Sequence, residues 1–345
     1  MHGWIILDKP LGLGSTQAVA AVKRALRDSG AGKCKVGHGG TLDPLATGVL
    51  PIAIGEATKL AGRMLDSDKI YDFTIAFGAQ TDTLDLEGAV IATSAVRPTL
   101  AQVAAMLPLF TGPIDQAPPA YSAILIDGQR AYDLARKGEE VEMKLRSVVV
   151  HGLHISSPRR GEDSAACPHS GLAQLGEGEG APPPSPTPAR QQAAKPSYPL
   201  PDGERINEIT LRAHVSKGTY IRSLARDIAL ALGTVGHVTM LRRVKAGPFT
   251  LESAISLDKL RHAATERGIG GLMLPLTAGL DDIPALPVSP DQALMLRQGK
   301  VLTGIAATTG LYLATQGDIP VALVRSDDQE IIVVRGFNLM SREDD

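Results

Sequence analysis

The sequence predicts a mixed fold of strands and helices in one large unit, followed by a small strand-rich one, and three observations lead there. Short apolar, β-branched runs alternate with stretches of helical spacing from the N-terminus to about residue 275. Prolines accumulate between Pro275 and Pro290, which places the expected boundary between units 1–275 and 276–345. Between residues 157 and 203 there are ten prolines and six glycines with almost no apolar periodicity, the composition of a disordered insertion.

Trp4 to Leu7 reads as a strand that ends at Asp8-Lys9-Pro10, where proline stops regular pairing and Lys9 is delivered to a surface. Ser15 and Thr16 then precede Ala18, Val19, Val22, Ala25 and Leu26, an amphipathic helix with a hydroxyl cap expected at its start and Lys23, Arg24 and Arg27 on its other side. Gly37 to Asp43 is too glycine-rich for regular helix and is expected to be a loop. A strand at Leu50–Ile54, a helix from about Ala57 to Leu65 and a strand at Tyr71–Phe77 follow. Residues 78–89 read as a polar turn-rich connection, and Leu100–Phe110 as a helix. A short strand and a hairpin are expected at Asp127-Gly128, with a helix carrying Tyr132, Leu134 and Arg136 behind it. Val148–Ile155 and Glu208–Val215 are expected to be neighbouring strands. Leu224, Ile228, Ala231 and Leu232 mark a helix that Gly233 stops.

With 345 residues the chain can bury a substantial core without covalent staples. Its two cysteines, Cys34 and Cys167, fit a reducing, cytoplasmic setting. The short apolar N-terminus lacks the basic region of a signal peptide, and no run approaches the roughly 18 apolar residues of a membrane span. A soluble protein is therefore expected. The formal charge of −2 hides an asymmetry: Glu204 to Gly247 holds eight Lys/Arg against three acidic residues, and Thr277 to Asp345 holds five against ten. A basic working face beside an acidic tail fits a phosphate-bearing partner. Cys167-Pro168-His169 offers too few ligands for zinc, and no metal or cofactor is expected. The Gly-rich loop lacks the Gly-Lys-Ser/Thr of a phosphate-binding nucleotide hydrolase.

Three segments could carry chemistry: Asp43 in its glycine frame, Tyr71 just ahead of a strand, and the turn from Lys217 to Arg222. Taken singly each reads as structure. An aspartate before proline is more often a turn former, an aromatic at a strand is more often core, and an arginine is more often a surface charge.

Together they resemble the tRNA pseudouridine synthase B (TruB) family. Gly37-His38-Gly39-Gly40-Thr41-Leu42-Asp43-Pro44-Leu45-Ala46-Thr47-Gly48-Val49-Leu50 matches the family's central signature without interruption. Further matches follow in the family's order: Leu7 to Pro10, Gly55 to Lys59, Asp68 to Tyr71, Thr81 to Thr83 with Asp85, Tyr121 to Ala123, Ser216 to Arg222, and His237 to Arg243. The resemblance covers roughly 1–275 apart from the insertion.

It implies an α+β fold with a mixed, largely antiparallel sheet flanked by helices. It also implies isomerisation of uridine 55 in the T loop of transfer RNA, by an enzyme that needs no guide RNA or protein partner and is expected to be a monomer. By resemblance Asp43 is the catalytic carboxylate, with attack on C1′, attack on the base and removal of the C2′ proton all open to it. Arg222 is its cationic partner, and Tyr71 stacks on the uracil with its hydroxyl as a relay. In the substrate-binding set, His38 is a wedge for base extrusion, Tyr220 lies near the nucleotide, Leu241 is an apolar wall, and Lys9 supports the catalytic loop. Two departures stand out. Gly39 replaces a threonine frequent in the family and is expected to loosen the loop, and Leu125 replaces a frequent lysine. A guide-dependent relative and a non-catalytic RNA-folding protein are the competing readings; the acidic tail argues against the first, and the intact Asp43, Tyr71 and Arg222 make the second an additional activity rather than a replacement.

Overall fold

The computed structural model describes residues 1–122, 124–126, 128–137, 143–156, 203–327 and 329–339. Apart from Gly203, the insertion expected at 157–203, with Cys167 and His169 inside it, lies outside the described residues.

A mixed sheet of nine strands forms the centre. Its main path runs Gly3–Lys9, Ala46–Ile54, Gly236–Ala246, Lys69–Phe77, Glu208–Val215, Arg146–Ile155 and Gly112–Gln116. Val36–His38 adds to Ala46–Ile54, and Phe249–Thr250 to Gly236–Ala246. Every pairing in it is antiparallel except that of Ala46–Ile54 with Gly236–Ala246. That parallel seam brings Leu241, Arg242 and Arg243 alongside Ala46, Thr47 and Gly48. The expected pairing of Glu208–Val215 with Arg146–Ile155 is present.

Alternation along the first strand divides the core. Ile5 and Leu7 face one side, under helices Ser15–Asp28 and Leu257–Thr265, in a cluster with Val22, Leu26, Leu50, Ile52 and Leu260. Trp4 and Ile6 face the other and share a cluster with Leu276, Leu313, Leu323 and Phe337, so the C-terminal sheet is packed onto the central one. That second sheet has five strands, Ala285–Pro287, Gly310–Gln316, Ile319–Asp327, Glu330–Gly336 and Leu302–Thr303 in spatial order. Under helix Ile221–Ala231 lies a third cluster, with Phe73, Ile75, Leu211, Leu224 and Ile228.

Several local expectations are corrected. The first helix is capped not by a hydroxyl but at Gly14, whose N–H donates to Gln17 Oε1 at 2.8 Å, because the Ser15 hydroxyl is engaged elsewhere. The region expected to be one helix over 57–65 is a 3-10 turn, Gly55–Leu60, followed by a short α-helix, Ala61–Asp66. Leu100–Phe110 splits likewise: Pro108 has no N–H for an α-helical bond, and the segment tightens to 3-10 geometry over Leu107–Phe110. The 78–89 connection contains a strand, Ala79–Thr81, paired with Val90–Thr93. Tyr71 is not ahead of a strand but its third residue.

Candidate active site

The Gly40–Asp43 loop is held from three sides by groups far from it in sequence. Ser15 Oγ donates to the Leu42 carbonyl and accepts from the Leu42 N–H, both at 2.8 Å, so the first helix grips the loop through its own first residue. Lys9 is fully buried, and its ammonium donates to the carbonyls of Pro10, Leu13 and Pro44 at 3.0, 2.6 and 3.2 Å. Burial pushes Lys9 down to about 8, with the nearby Asp43 carboxylate opposing the shift. Arg243, 1% exposed, donates Nε to Val49 O at 2.7 Å, Nη1 to Thr41 O at 3.2 Å and Nη2 to Gly40 O at 3.1 Å. A guanidinium suits this place because its fixed planar fork can span two successive carbonyls.

The loop is pinned where sequence suggested slack. A Cβ on Gly39 would stand 2.6 Å from Met64 Cβ, and its N–H donates to Pro51 O at 2.8 Å. Position 39 therefore has no room for threonine in this chain.

Asp43 emerges from this frame at the rim of a cleft with a volume of about 310 Å³, which also takes in Tyr71, Tyr220, Arg222, Leu241 and Arg243. That volume is at the small end for ligand sites. Arg222 Nη2 lies 3.0 Å from Asp43 Oδ2, with the arginine side chain 8% exposed and the aspartate 43%. The rest of the guanidinium is satisfied behind the cleft: Nη1 donates to Thr83 O at 2.8 Å and to Asp85 Oδ2 at 3.1 Å, and Nη2 also to Tyr121 O at 3.0 Å. Asp85 is buried and accepts through Oδ1 from Thr83 Oγ1 at 2.5 Å and from the Glu87 N–H at 3.0 Å. Arg222 thus bridges a buried, fully engaged carboxylate and a half-exposed one, which leaves Asp43 the free side of the pair.

Tyr71 lies on Lys69–Phe77 between Ala213 and Arg243, its ring partly buried between two core clusters. Its hydroxyl has no hydrogen-bond partner among the described residues. Leu241 sits opposite Ala46 and Phe73 and closes one wall. Tyr220 precedes helix Ile221–Ala231 and is clamped by buried Gln116, which accepts from its N–H at 2.7 Å and donates to its carbonyl at 3.1 Å. Burial raises its phenol above the ordinary range. Lys69 donates to the carbonyls of Met64, Leu65 and Ser67, capping the helix Ala61–Asp66, and burial pushes it down to about 8.

His38 and Lys9 lie outside the cleft lining. His38 ends the strand that enters the loop, and its Nδ1 accepts from the Gly40 N–H at 3.4 Å. Burial, then the nearby Arg243 charge, lower its pKa. Four residues that sequence reasoning placed outside the site, Ser15, Asp85, Gln116 and Arg243, do most of the positioning. Asp85 and Arg243 lay inside matched motifs, but Ser15 was read as a cap and nothing local marked Gln116. Among the described residues no three His, Cys, Asp or Glu side chains are grouped to hold a metal ion, and no helix is long and apolar enough to cross a membrane.

Comparison with known proteins follows the same lines. Residues 24–166 match the profile of the N-terminal domain of the TruB family of pseudouridylate synthases, and 222–281 that of the tRNA pseudouridylate synthase B C-terminal domain. The chain is 58% identical over 339 residues to tRNA pseudouridine synthase B of Novosphingobium aromaticivorans, covering 98% of each. It is 52% identical over 338 residues to the protein of that name from Zymomonas mobilis, covering 98% of this chain and 96% of the other. Among solved structures, a chain of an H/ACA RNP bound to a substrate RNA containing 2′-deoxyuridine superposes with a TM-score of 0.64 at 22% identity, covering 99% of this chain and 86% of that one. A chain of a Cbf5-Nop10-Gar1 complex gives 0.63 at 23%, covering the same shares. At such identity these two speak for the fold alone.

Proposed function

Because this chain belongs to the TruB family of tRNA pseudouridine synthases, we propose that it isomerises uridine 55 in the T loop of transfer RNA to pseudouridine, with Asp43 as the catalytic carboxylate. The observation that carries the reading is the Asp43–Arg222 pair at 3.0 Å on the rim of the cleft, with the cation buried and the carboxylate half open.

The reaction breaks the N1–C1′ bond, turns the uracil in place and joins C5 to C1′; the hydrogen on C5 leaves and N1 gains one, with no change of oxidation state. Bond cleavage develops positive charge on the sugar, which a carboxylate can stabilise, attack or relieve of a proton. In each route the acting group is the Asp43 carboxylate, and Arg222 pairs with it at 3.0 Å while Asp85 fixes the guanidinium from behind. The target base must leave the folded loop to reach the cleft. Tyr71 offers its ring as a stacking surface and its unpartnered hydroxyl to the departing C5 proton; Tyr220 and Leu241 form the walls. His38, outside the cleft on the strand that enters the loop, is suited to replace the extruded base, and Lys9 acts on substrate only through the loop it holds.

We assign catalysis to residues 1–275 and treat 276–345 as a small accessory unit, whose acidic balance speaks against a guide-RNA platform. The enzyme is taken to work as a monomer in the cytoplasm on transfer RNA alone. The test is to incubate purified protein with unmodified transfer RNA and map pseudouridine. Modification confined to the T loop is expected, and Asp43→Asn should abolish it while retaining RNA binding. An unmodified T loop, or an active Asn variant, would overturn the reading.

A further inference from the structure

Outside the cleft, a dense collection of exposed positive charge lies on the first helix and the turn that follows it. From Lys23 to Lys35 there are five basic residues, Lys23, Arg24, Arg27, Lys33 and Lys35, against one acidic residue, Asp28. All five are exposed. Among the described residues only Arg27 of these five meets a carboxylate, that of adjacent Asp28 at 3.5 Å, with the two side chains 75% and 53% exposed. By contrast Lys217, Arg212 and Arg242 are paired with Asp66, Asp72 and Asp8. A chain of net charge −2 thus sets five exposed cations against one carboxylate within thirteen residues.

Helix energetics alone do not account for them. The helix dipole favours cations in the last turn, which covers Arg27, but Lys33 and Lys35 lie beyond the helix. The neighbouring helix Leu257–Thr265 continues the surface with exposed Lys259 in its first turn, where the dipole disfavours a cation, and with Arg261. The two helices enclose a groove of about 230 Å³ in which Arg24, Asp28 and Arg261 stand over alanine and leucine side chains.

The surface is continuous with the site already described. Ser15, at the start of the helix, holds Leu42 of the catalytic loop, and at 1.5 Å per residue Arg27 is about 18 Å further along the axis. The turn then returns through Lys33 and Lys35 to His38. A row of cations that leaves the catalytic loop, extends away from it and comes back matches the spaced negative charges of a nucleic-acid backbone.

We propose that the outer face of helix Ser15–Asp28, with the 29–35 turn, is a second RNA-binding surface that takes backbone phosphates of the transfer RNA outside its T arm. The inference rests on the reading of this chain as a tRNA pseudouridine synthase. It separates two binding terms: the cleft recognises the T loop, and this ridge adds affinity that depends on salt and not on sequence.

The full chain carrying Lys23→Gln, Arg24→Gln and Arg27→Gln together would be compared with wild type for binding unmodified full-length transfer RNA and an isolated T-arm stem-loop, across 50–200 mM KCl. The variant should bind full-length transfer RNA about tenfold more weakly, with a salt slope smaller by about two to three. Its stem-loop affinity and stem-loop turnover should be unchanged, which also reports that the fold is intact. Unaltered affinity and slope for full-length transfer RNA would overturn the proposal, and so would equal weakening for both RNAs, since the ridge would then belong to the T-arm site. Wild-type protein that leaves the T loop of full-length transfer RNA unmodified would instead overturn the pseudouridine synthase reading.

Discussion

Replacing Asp85 by asparagine isolates what the buried end of the carboxylate–arginine–carboxylate chain contributes. Three donors converge on Asp85: Thr83 Oγ1 and the Glu87 N–H on Oδ1, and Arg222 Nη1 on Oδ2. Asparagine can keep its oxygen at the doubly used position, which turns its NH2 toward the guanidinium, donor against donor at about the 3.1 Å now spanned by the ion pair. The lost charge-assisted bond is worth about 1.5–3 kcal/mol, and breaking one side of a buried pair costs about 3–5 kcal/mol. Arg222 keeps Asp43, but that partner is 43% exposed and compensates weakly. A loss of about 3 kcal/mol follows, which at an m-value near 3 kcal/mol/M moves the urea midpoint down by about 1 M. Because the guanidinium also orients Asp43, a shift on the order of 1 Å should slow single-turnover pseudouridine formation by about 100-fold. An unchanged midpoint together with a rate within twofold of wild type would refute the assignment of Asp85 as the anchor of Arg222.

Gly48→Ala should be severe, because Gly48 has φ +99° and an added Cβ would stand 2.2 Å from Arg243 O across the parallel seam. Backbone strain and overpacking together predict a loss of about 3 kcal/mol with a displaced catalytic loop; a wild-type melting curve would contradict this. Tyr71→Phe retains the ring and loses the hydroxyl, so single-turnover kinetics should show a slower rate with unchanged transfer RNA affinity, whereas full activity would exclude the relay. For His38, whose pKa is lowered by burial and by Arg243 from 6.5, the unfolded chain binds a proton that the folded chain refuses between the lowered value and 6.5. Stability should therefore fall as pH drops through that window. His38→Gln should flatten that part of the pH–stability curve in urea titrations, and an unaltered acid slope would rule the contribution out.

The sequence alone determined which residues are available and which elements they form. A short continuous apolar run located the strand at Trp4–Leu7, which is buried on both faces, and helical spacing located the helix beginning at Ser15 and the one that Gly233 stops, because burial of one helix face imposes that spacing. An uninterrupted fourteen-residue motif singled out Asp43, which by local chemistry is an ordinary turn residue. Charge counting found the basic 204–247 stretch but passed over the denser one at 23–35, read only as the outer side of an amphipathic helix.

Only the tertiary structure decided how the candidate site is held. Asp43, Asp85 and Arg222 meet across as many as 179 residues of chain, and no local propensity encodes such a meeting. It depends on strand register, above all on the parallel seam of the central sheet, which sets Arg243 beside Gly48 and under the Gly40 and Thr41 carbonyls. Ser15 illustrates the same limit: its hydroxyl suits a helix cap, but Leu42 of the catalytic loop presents both a donor and an acceptor to it. Side-chain chemistry lists what a residue can bond, and the fold selects the partner by bringing distant backbone into reach.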